Sequence, residues 1–325
     1  MQIDPTLRAL ADPTRLRIMR LLSAMELAVG ELAQVLGQSQ PRVSRHVKIL
    51  CDAGLARRRK EGSWVFLNSA IAEDRDPATP TLGGATTRLL SAAEREDTAF
   101  AQRCEEDRRH LAAIRAGREA SAAAYFERNA AQWDQMRKLL AQDAPVEAAL
   151  EQALLADGPL GAMLDVGTGT GRMAQLFSPH ASHVTAFDKS PEMLRIARAR
   201  LQHLPAADVT LVQGDFLNLP FAPGAFDTVL FHQVLHYAQA PELVLAQAAR
   251  VTREGGRIAV VDLAAHDHED MRSIHAHARL GFTEGQMSDL FTAAGFAPAD
   301  PIALPGGQLT VKIWTGRRTS APAAA

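Results

Sequence analysis

Cysteine is nearly absent. Cys51 and Cys104 are the two thiols of a 325-residue chain, which argues against a disulfide framework and for a reducing compartment. No run of ~18 apolar residues occurs, and no basic-then-apolar segment opens the chain, so neither a membrane span nor a secretory signal is expected. Internal repeats are absent as well. These absences predict a cytoplasmic protein with no membrane partner.

The composition is that of a globular chain, 47% hydrophobic, and its length suits two domains. The net charge of -2 is unevenly spread. Residues 1–68 hold nine Arg and two Lys against six acids, a surplus of five positive charges, which leaves -7 on the remainder. A basic front on an acidic body points to a polyanion as partner of the front.

The expected organisation is a helix-rich unit over residues 1–72, a linker and helical segment over 73–120, an α/β domain over 121–318, and a disordered tail over 319–325. Within the second segment, residues 73–85 are polar and rich in Pro and Gly, so they read as a linker. Residues 86–143 follow a helical pattern. Phe100, Cys104, Leu111 and Ile114 form a stripe there, broken at Asp107, suited to a dimer seam or to packing on the chain's own second domain.

In the front, Asp12 and Pro13 start a short helix, Gly37 stops another, and Ser39 is placed to cap a third that begins at Gln40. Val43, Val47 and Leu50 fall on the inner face of that third helix. Gln38, Ser39, Gln40, Arg42, Ser44, Arg45, His46 and Lys48 supply the polar groups that base edges and phosphates require. Arg57, Arg58, Arg59 and Lys60 then line a hairpin turning at Glu61-Gly62-Ser63, well placed for phosphates. The segments LRALADPTRLRIMRLL and ELAVGELAQVLGQSQPRVSRHVKILCDAGLARRRKEG resemble the ArsR/SmtB family of winged helix-turn-helix repressors. The resemblance implies an α+β winged helix, a homodimer, and double-stranded operator DNA as partner. Metal-sensing members carry Cys-x-Cys where this chain has Ala28-Val29-Gly30, so the thiolates that soft metals need are missing.

In the body, apolar strand-like runs alternate with amphipathic helical stretches, the mark of an open α/β sheet. Met163–Val166 runs into Gly167-Thr168-Gly169-Thr170-Gly171-Arg172, a turn through which backbone amides can approach a ligand. The spacing is G-x-G-x-G, and Arg172 stands where a dinucleotide fingerprint has its third glycine. Asp188 ends the second strand, and Gly214-Asp215-Phe216 follows the third. The fourth leads into His232-Gln233-Val234-Leu235-His236-Tyr237. The fifth, Arg257–Asp262, follows a turn over residues 253–256, and Thr310–Gly316 reads as a late edge strand.

DVGTGTGR, AFDKS, QGDFLNLPF, FDTVLFHQVLHY and REGGRIAVVDL together resemble the class I S-adenosylmethionine-dependent methyltransferases. That resemblance implies a Rossmann-like, seven-stranded sheet with a reversed last strand, and S-adenosylmethionine or S-adenosylhomocysteine as the bound group. Asp165, Gly167, Thr168, Gly169 and Gly171 would cradle its methionine end. Asp188 would hold the ribose, Asp215 and Phe216 would flank the adenine, and His232 and Gln233 would line the pocket, with Lys189, Met193 and Gly214 as further cofactor-binding residues. Either acid can instead be a cap or turn residue. YFERNAAQWDQMR (residues 125–137) resembles the amphipathic helix that precedes the fold in these enzymes, with Tyr125, Phe126 and Trp133 placed to close over the donor.

The activated sulfonium methyl makes a base optional, since such an enzyme mainly aligns the nucleophile and excludes water. His232, His236 and Tyr237 are the candidate catalytic groups, with pocket lining the alternative role. The histidine-rich run His266–Phe282 lacks zinc-site spacing, so no metal is expected and a roof over the acceptor is. His-Gln-Val-Leu after the fourth strand differs from the Asn/Asp-Pro-Pro-aromatic loop of base methyltransferases, which argues against DNA as methyl acceptor. Two readings remain. One is a dimeric transcriptional regulator whose body binds the donor or its product as effector. The other is an active methyltransferase on a small molecule with an autoregulatory DNA-binding domain.

Overall fold

The structure, a computed structural model, describes residues 2–61, 64–71, 81–130, 133, 143–205, 208–306 and 309–319. Residues 73–80 of the expected linker and hairpin-turn residues Gly62 and Ser63 lie outside the described residues. So do residues 131, 132 and 134–137 of the expected amphipathic helix and residues 320–325 of the tail. Packing divides the chain into two units, Met1–Ala120 and Ser121–Ala325.

The first unit opens with α1 (Ile3–Leu10) and α2 (Pro13–Ala24). Asp12 caps α2, its carboxylate accepting Arg15 N–H at 3.1 Å. Next come β1 (Leu27–Ala28), α3 (Val29–Leu36), α4 (Gln40–Asp52), β2 (Ala56–Glu61) and β3 (Trp64–Ser69). Gly37 ends α3 at φ 63°, in the left-handed region that favours glycine. Ser39 occupies the cap position of α4, but its hydroxyl makes no capping bond; its carbonyl accepts from Arg42 and Val43 instead. The strands form an antiparallel sheet in the order β1-β3-β2. Ile18, Met19, Leu32, Val43, Val47, Leu50 and Leu67 form its core.

Two further helices, α5 (Leu82–Glu96) and α6 (Thr98–Asn129), follow. Leu82–Ala85, expected in the linker, form the first turn of α5, with the Thr81 hydroxyl accepting Gly84 N–H. Leu90 and Leu111 join the core of the first unit, and Ile114 packs against it. Asp107, the break in the apolar stripe, is 2% exposed and accepts from Arg17 Nε and Nη2 at 2.7 and 2.5 Å. Leu111 and Ile114 of the stripe thus pack on the first unit itself.

The second unit holds α7 (Asp143–Leu155), β4 (Ala162–Val166), α8 (Arg172–Phe177), β5 (His183–Asp188), α9 (Pro191–Leu201), β6 (Val209–Gln213), β7 (Phe226–His232) and α10 (Pro241–Val251). These are followed by β8 (Thr252–Leu263), α11 (Asp270–Ser273), α12 (Glu284–Ala294), β9 (Phe296–Pro298), β10 (Ile302–Gly306) and β11 (Leu309–Arg318). The sheet order is β10-β11-β8-β7-β4-β5-β6, with short β9 paired to the end of β11. From β6 to β8 all pairings are parallel, whereas β11 runs antiparallel to β8. The expected seven strands and reversed last strand are present, with β9 as an eighth.

Two details differ from expectation. The final strand lies between β8 and β10 rather than at the edge. The expected turn at residues 253–256 is a bulge inside β8: Phe226 pairs with Thr252, and Thr228 next pairs with Arg257. The parallel strands read as continuous apolar runs because both faces are covered. Met163, Val184 and Leu230 pack into one layer, and Leu164, Phe187 and Val229 into the other. The chain runs outward from β4 through β5 to β6, then returns to β7 on the other side of β4. Sheets with such a reversal bind ligands at the carboxyl ends of the strands.

Candidate functional site

The glycine loop leaves β4 with Gly167, Gly169 and Gly171 at φ 71°, 55° and 81°. Gly167 and Thr168 donate N–H groups to Phe187 O at 2.8 and 3.0 Å, and the Thr168 hydroxyl donates to Asp165 Oδ2 at 2.6 Å. A Cβ at Gly167 would lie 2.3 Å from Val234, and one at Gly214 would lie 2.7 Å from Phe187. Side chains are thus barred where the backbone must come close. Arg172, in place of a third glycine, donates from Nε and Nη2 to Glu147 at 2.8 and 2.5 Å and so ties α7 to the loop.

Asp188, at the end of β5, accepts Gly169 N–H on Oδ2 and Ser190 N–H on Oδ1, both at 2.8 Å. Burial raises its carboxyl above the usual range, partly offset by the backbone donors of Ser190, Gly169 and Lys189. Three backbone donors thus take up most of its acceptor directions. Lys189 Nζ lies 2.8 Å from Asp215 Oδ2, and Asp215 Oδ1 accepts Leu217 N–H at 2.9 Å. Asp215 thereby holds its own turn as well as the lysine. Phe216 packs against the core, and the Met193 side chain is buried in α9.

Tyr125 and Phe126, in the last turns of α6, gather with Trp133 and Tyr237. Phe126 sits 5.3 Å from Trp133 and 4.9 Å from Tyr237, edge to face. The Trp133 indole nitrogen would lie 3.7 Å from a Cβ at Gly169, so this aromatic group reaches the glycine loop. Tyr125 Oη lies 3.0 Å from His275 Nδ1. His275, from the run expected to roof the acceptor, lies in an irregular segment rather than a helix.

The three catalytic candidates are placed differently. His232 is buried at the end of β7. Gln233 adopts φ 54° and donates its N–H to Val261 O. His236 Nδ1 lies 2.7 Å from Asp262 Oδ1, and Asp262 Oδ2 accepts His236 N–H at 3.1 Å. A carboxylate only accepts, so His236 Nδ1 carries the proton of that bond. Among the described residues nothing bonds that Nε2. Burial, then the charges of Tyr125 and Asp262, push the Tyr237 phenol well up, so it stays protonated. Asp262 was missed as a partner of His236. Its signal is the Asp that closes VVDL, in a strand whose Val261 pairs with His232.

On the first unit, Gln40, Arg42, Arg45 and Lys48 are exposed along α4, as are Arg57, Arg58 and Lys60 on the wing. Lys48 pairs with Asp52 at 2.7 Å on the surface. Ser39 is exposed, and Ser44 is half-buried. Three expected DNA contacts turn inward. Arg59 donates to both Glu26 oxygens at 3.0 and 2.8 Å and lies over Phe66. His46 faces Asp12 at 3.7 Å, and Gln38 bonds Thr14. Strand alternation explains Arg59, since in β2 it takes the opposite face from Arg58 and Lys60. Among the described residues no group of His, Cys, Asp and Glu has metal-site geometry, and no helix is long and apolar enough to cross a membrane.

Residues 12–58 match the bacterial regulatory protein family arsR, and residues 164–260 match the methyltransferase domain family. The chain is 37% identical over 179 residues to a malonyl-[acyl-carrier protein] O-methyltransferase of Herminiimonas arsenicoxydans, covering 53% of this chain and 64% of that protein. It is 36% identical over 143 residues to a phosphatidylethanolamine N-methyltransferase of Cereibacter sphaeroides, covering 43% of this chain and 69% of that protein. The chain spans 64% and 69% of the length of these two relatives. The fold is that of N-methyltransferase NodS of Bradyrhizobium japonicum, solved with S-adenosylhomocysteine: TM-score 0.50, 18% identity, 61% of this chain and 99% of that one. The chain belongs to the class I S-adenosylmethionine-dependent methyltransferases and carries an ArsR-family regulatory domain at its N-terminus.

Proposed function

We propose that this protein is a DNA-binding regulator whose second unit is a working methyltransferase on a small molecule. The observation that carries the catalytic reading is the buried His236–Asp262 pair, with His236 Nε2 unpartnered among the described residues, beyond the switch point of the sheet. Asp262 holds the ring in one tautomer, so Nε2 can take the proton of an acceptor as that acceptor attacks. S-adenosylmethionine supplies an activated methyl on a sulfonium.

The loop residues fit such a group. Three glycines at positive φ uncover peptide groups, and the remaining acceptor direction of Asp188 suits a ribose hydroxyl. Trp133, Phe126 and Tyr237 exclude water from the loop side. His232, Gln233, Asp165, Thr168, Lys189, Met193, Gly214, Asp215 and Phe216 complete the proposed pocket.

Methyl transfer from labelled S-adenosylmethionine to a panel of small acceptors tests this reading. Asp262→Asn should lower kcat by about a hundredfold or more while S-adenosylhomocysteine binding persists. Absence of transfer to every acceptor by the intact protein would sink the catalytic reading.

The second reading makes the bound nucleoside the effector of a homodimeric repressor on a pseudo-palindromic operator. Ala28 and Gly30 favour it, since no thiolate stands where metal-sensing members have theirs. It requires the ligand to bind the DNA-competent and DNA-free forms unequally. Operator affinity unchanged at saturating S-adenosylmethionine and S-adenosylhomocysteine would refute it.

A further inference from the structure

We propose that His277 is a second catalytic group, donating an N–H to the oxygen of a hydroxyl acceptor whose proton His236 takes. This deepens the methyltransferase reading and rests on it.

His277 lies between α11 and α12, 4% exposed. Its ring centroid is 4.1 Å from that of His236, tilted by 33°, and 5.1 Å from that of Tyr237. Both ring nitrogens are buried without a hydrogen-bond partner among the described residues, as is His236 Nε2. A buried donor or acceptor left unpaired is costly. Three at one place, at the strand ends where a ligand is expected, mark a polar guest.

The backbone supports this. Among the described residues Gln233 and Ala276 are the non-glycine positions at positive φ, 54° and 58°. One immediately precedes His277 and the other lies three residues before His236. Such strained conformations collect at functional sites. Burial, reinforced by His236, His275, His266 and Arg272, holds the His277 imidazole far below its ordinary pKa, so the ring is neutral. A neutral ring has one N–H and one lone pair.

Counting donors and lone pairs selects the acceptor. A hydroxyl oxygen has one O–H and two lone pairs. The O–H goes to His236 Nε2, one lone pair accepts from His277, and the other attacks the methyl carbon. An amine nitrogen has a single lone pair, which the attack itself uses. A carboxylate has no proton for His236. In the transfer, the oxygen–methyl bond forms and the methyl–sulfur bond breaks with its electron pair left on sulfur. The hydroxyl proton ends on His236 Nε2, and the resulting imidazolium is held against Asp262. The products are a methyl ether and S-adenosylhomocysteine.

The test uses the full chain saturated with S-adenosylhomocysteine, with 1-naphthol and 1-naphthylamine as probes of the same ring and different nucleophilic atom. Calorimetry should show naphthol binding at least about tenfold tighter, because a site built to hydrogen-bond an oxygen rejects an analogue that leaves its groups unpaired. His277→Phe should erase that preference, and His277→Gln, which keeps an N–H, should retain part of it. S-adenosylhomocysteine affinity should stay unchanged in both variants. With labelled donor, naphthol should be methylated ahead of naphthylamine, and His277→Phe should lower kcat by roughly 10- to 100-fold. Equal or reversed binding preference, binding of neither probe, or a His277→Phe that keeps both preference and kcat would overturn the proposal. A binding preference without transfer to any acceptor would overturn the methyltransferase reading and the catalytic role together. Transfer that favours the amine would overturn the role of His277 alone.

Discussion

Asp107, 2% exposed in the middle of α6, closes both carboxylate oxygens on the Arg17 guanidinium of α2, 90 residues away. A charge buried at this depth is tolerable only while its partner stays in place. The pair also raises the guanidinium's affinity for its proton, chiefly through the hydrogen bonds to Asp107.

Arg17→Leu should therefore destabilise the first unit by about 3 kcal/mol, since it strands a buried carboxylate. The double change Arg17→Leu with Asp107→Leu should recover most of that loss. Denaturant melts of the four proteins give the coupling directly. Additive losses would mean that the two side chains do not act as a pair.

Burial gives His277 a folded-state pKa far below its unfolded value near ~6.5. The unfolded chain then binds the extra proton, so stability rises with pH. The contribution is fully present above the unfolded pKa and is lost as pH falls below it. Between pH 6.5 and 5 the slope from this one group approaches about 1.4 kcal/mol per pH unit. Urea melts of the wild type and of His277→Gln at pH 7.5 and 5.5 measure it. Its neighbours His236, His275, His266 and Arg272 remain in both proteins, so the difference isolates His277.

Arg42 and Arg45 are exposed on α4, whereas Arg59 is held by Glu26. Arg42→Ala and Arg45→Ala should each reduce the salt dependence of operator binding by about one phosphate contact. Arg59→Ala should leave the salt slope near the wild-type value and act by loosening the wing. Filter binding between low and high salt separates the two behaviours. A slope reduced equally by Arg59→Ala would place that side chain on the DNA.

Gly167→Ala puts a Cβ 2.3 Å from Val234 at a φ of 71°. The strain, about 1–3 kcal/mol for the backbone alone, should appear as lost S-adenosylhomocysteine affinity measured by calorimetry. Gly255→Ala, with a similar φ of 71° and nothing within 4 Å of the new Cβ, should leave that affinity unchanged.

Most elements were readable from local signals. Asp12-Pro13, Gly37 and the alternation at residues 56–67 mark the winged helix because caps, left-handed stops and strand periodicity act within a few residues. Apolar runs and the glycine turn mark β4 through β8 for the same reason. The outward-facing charges were also legible, but not which of them are already taken. Arg59 and Arg58 are identical letters, and only the face of β2 that meets Glu26 distinguishes them. Likewise Arg172, read as a departure from a glycine fingerprint, becomes intelligible once α7 brings Glu147 to it.

By itself the sequence determined two folding units, a helix built to meet DNA, and a sheet whose carboxyl ends open on a glycine loop. Those features follow from periodicity, turn residues and charge, which neighbours along the chain decide. Tertiary structure alone decided the chemistry at the strand ends. Asp262 lies 26 residues beyond His236 and reaches it because β7 and β8 are parallel neighbours. His277 comes to the same place from an irregular segment that no periodicity announces. A hydrogen bond or a ring contact depends on distances of a few ångströms across strands, and the chain fixes those distances only by packing.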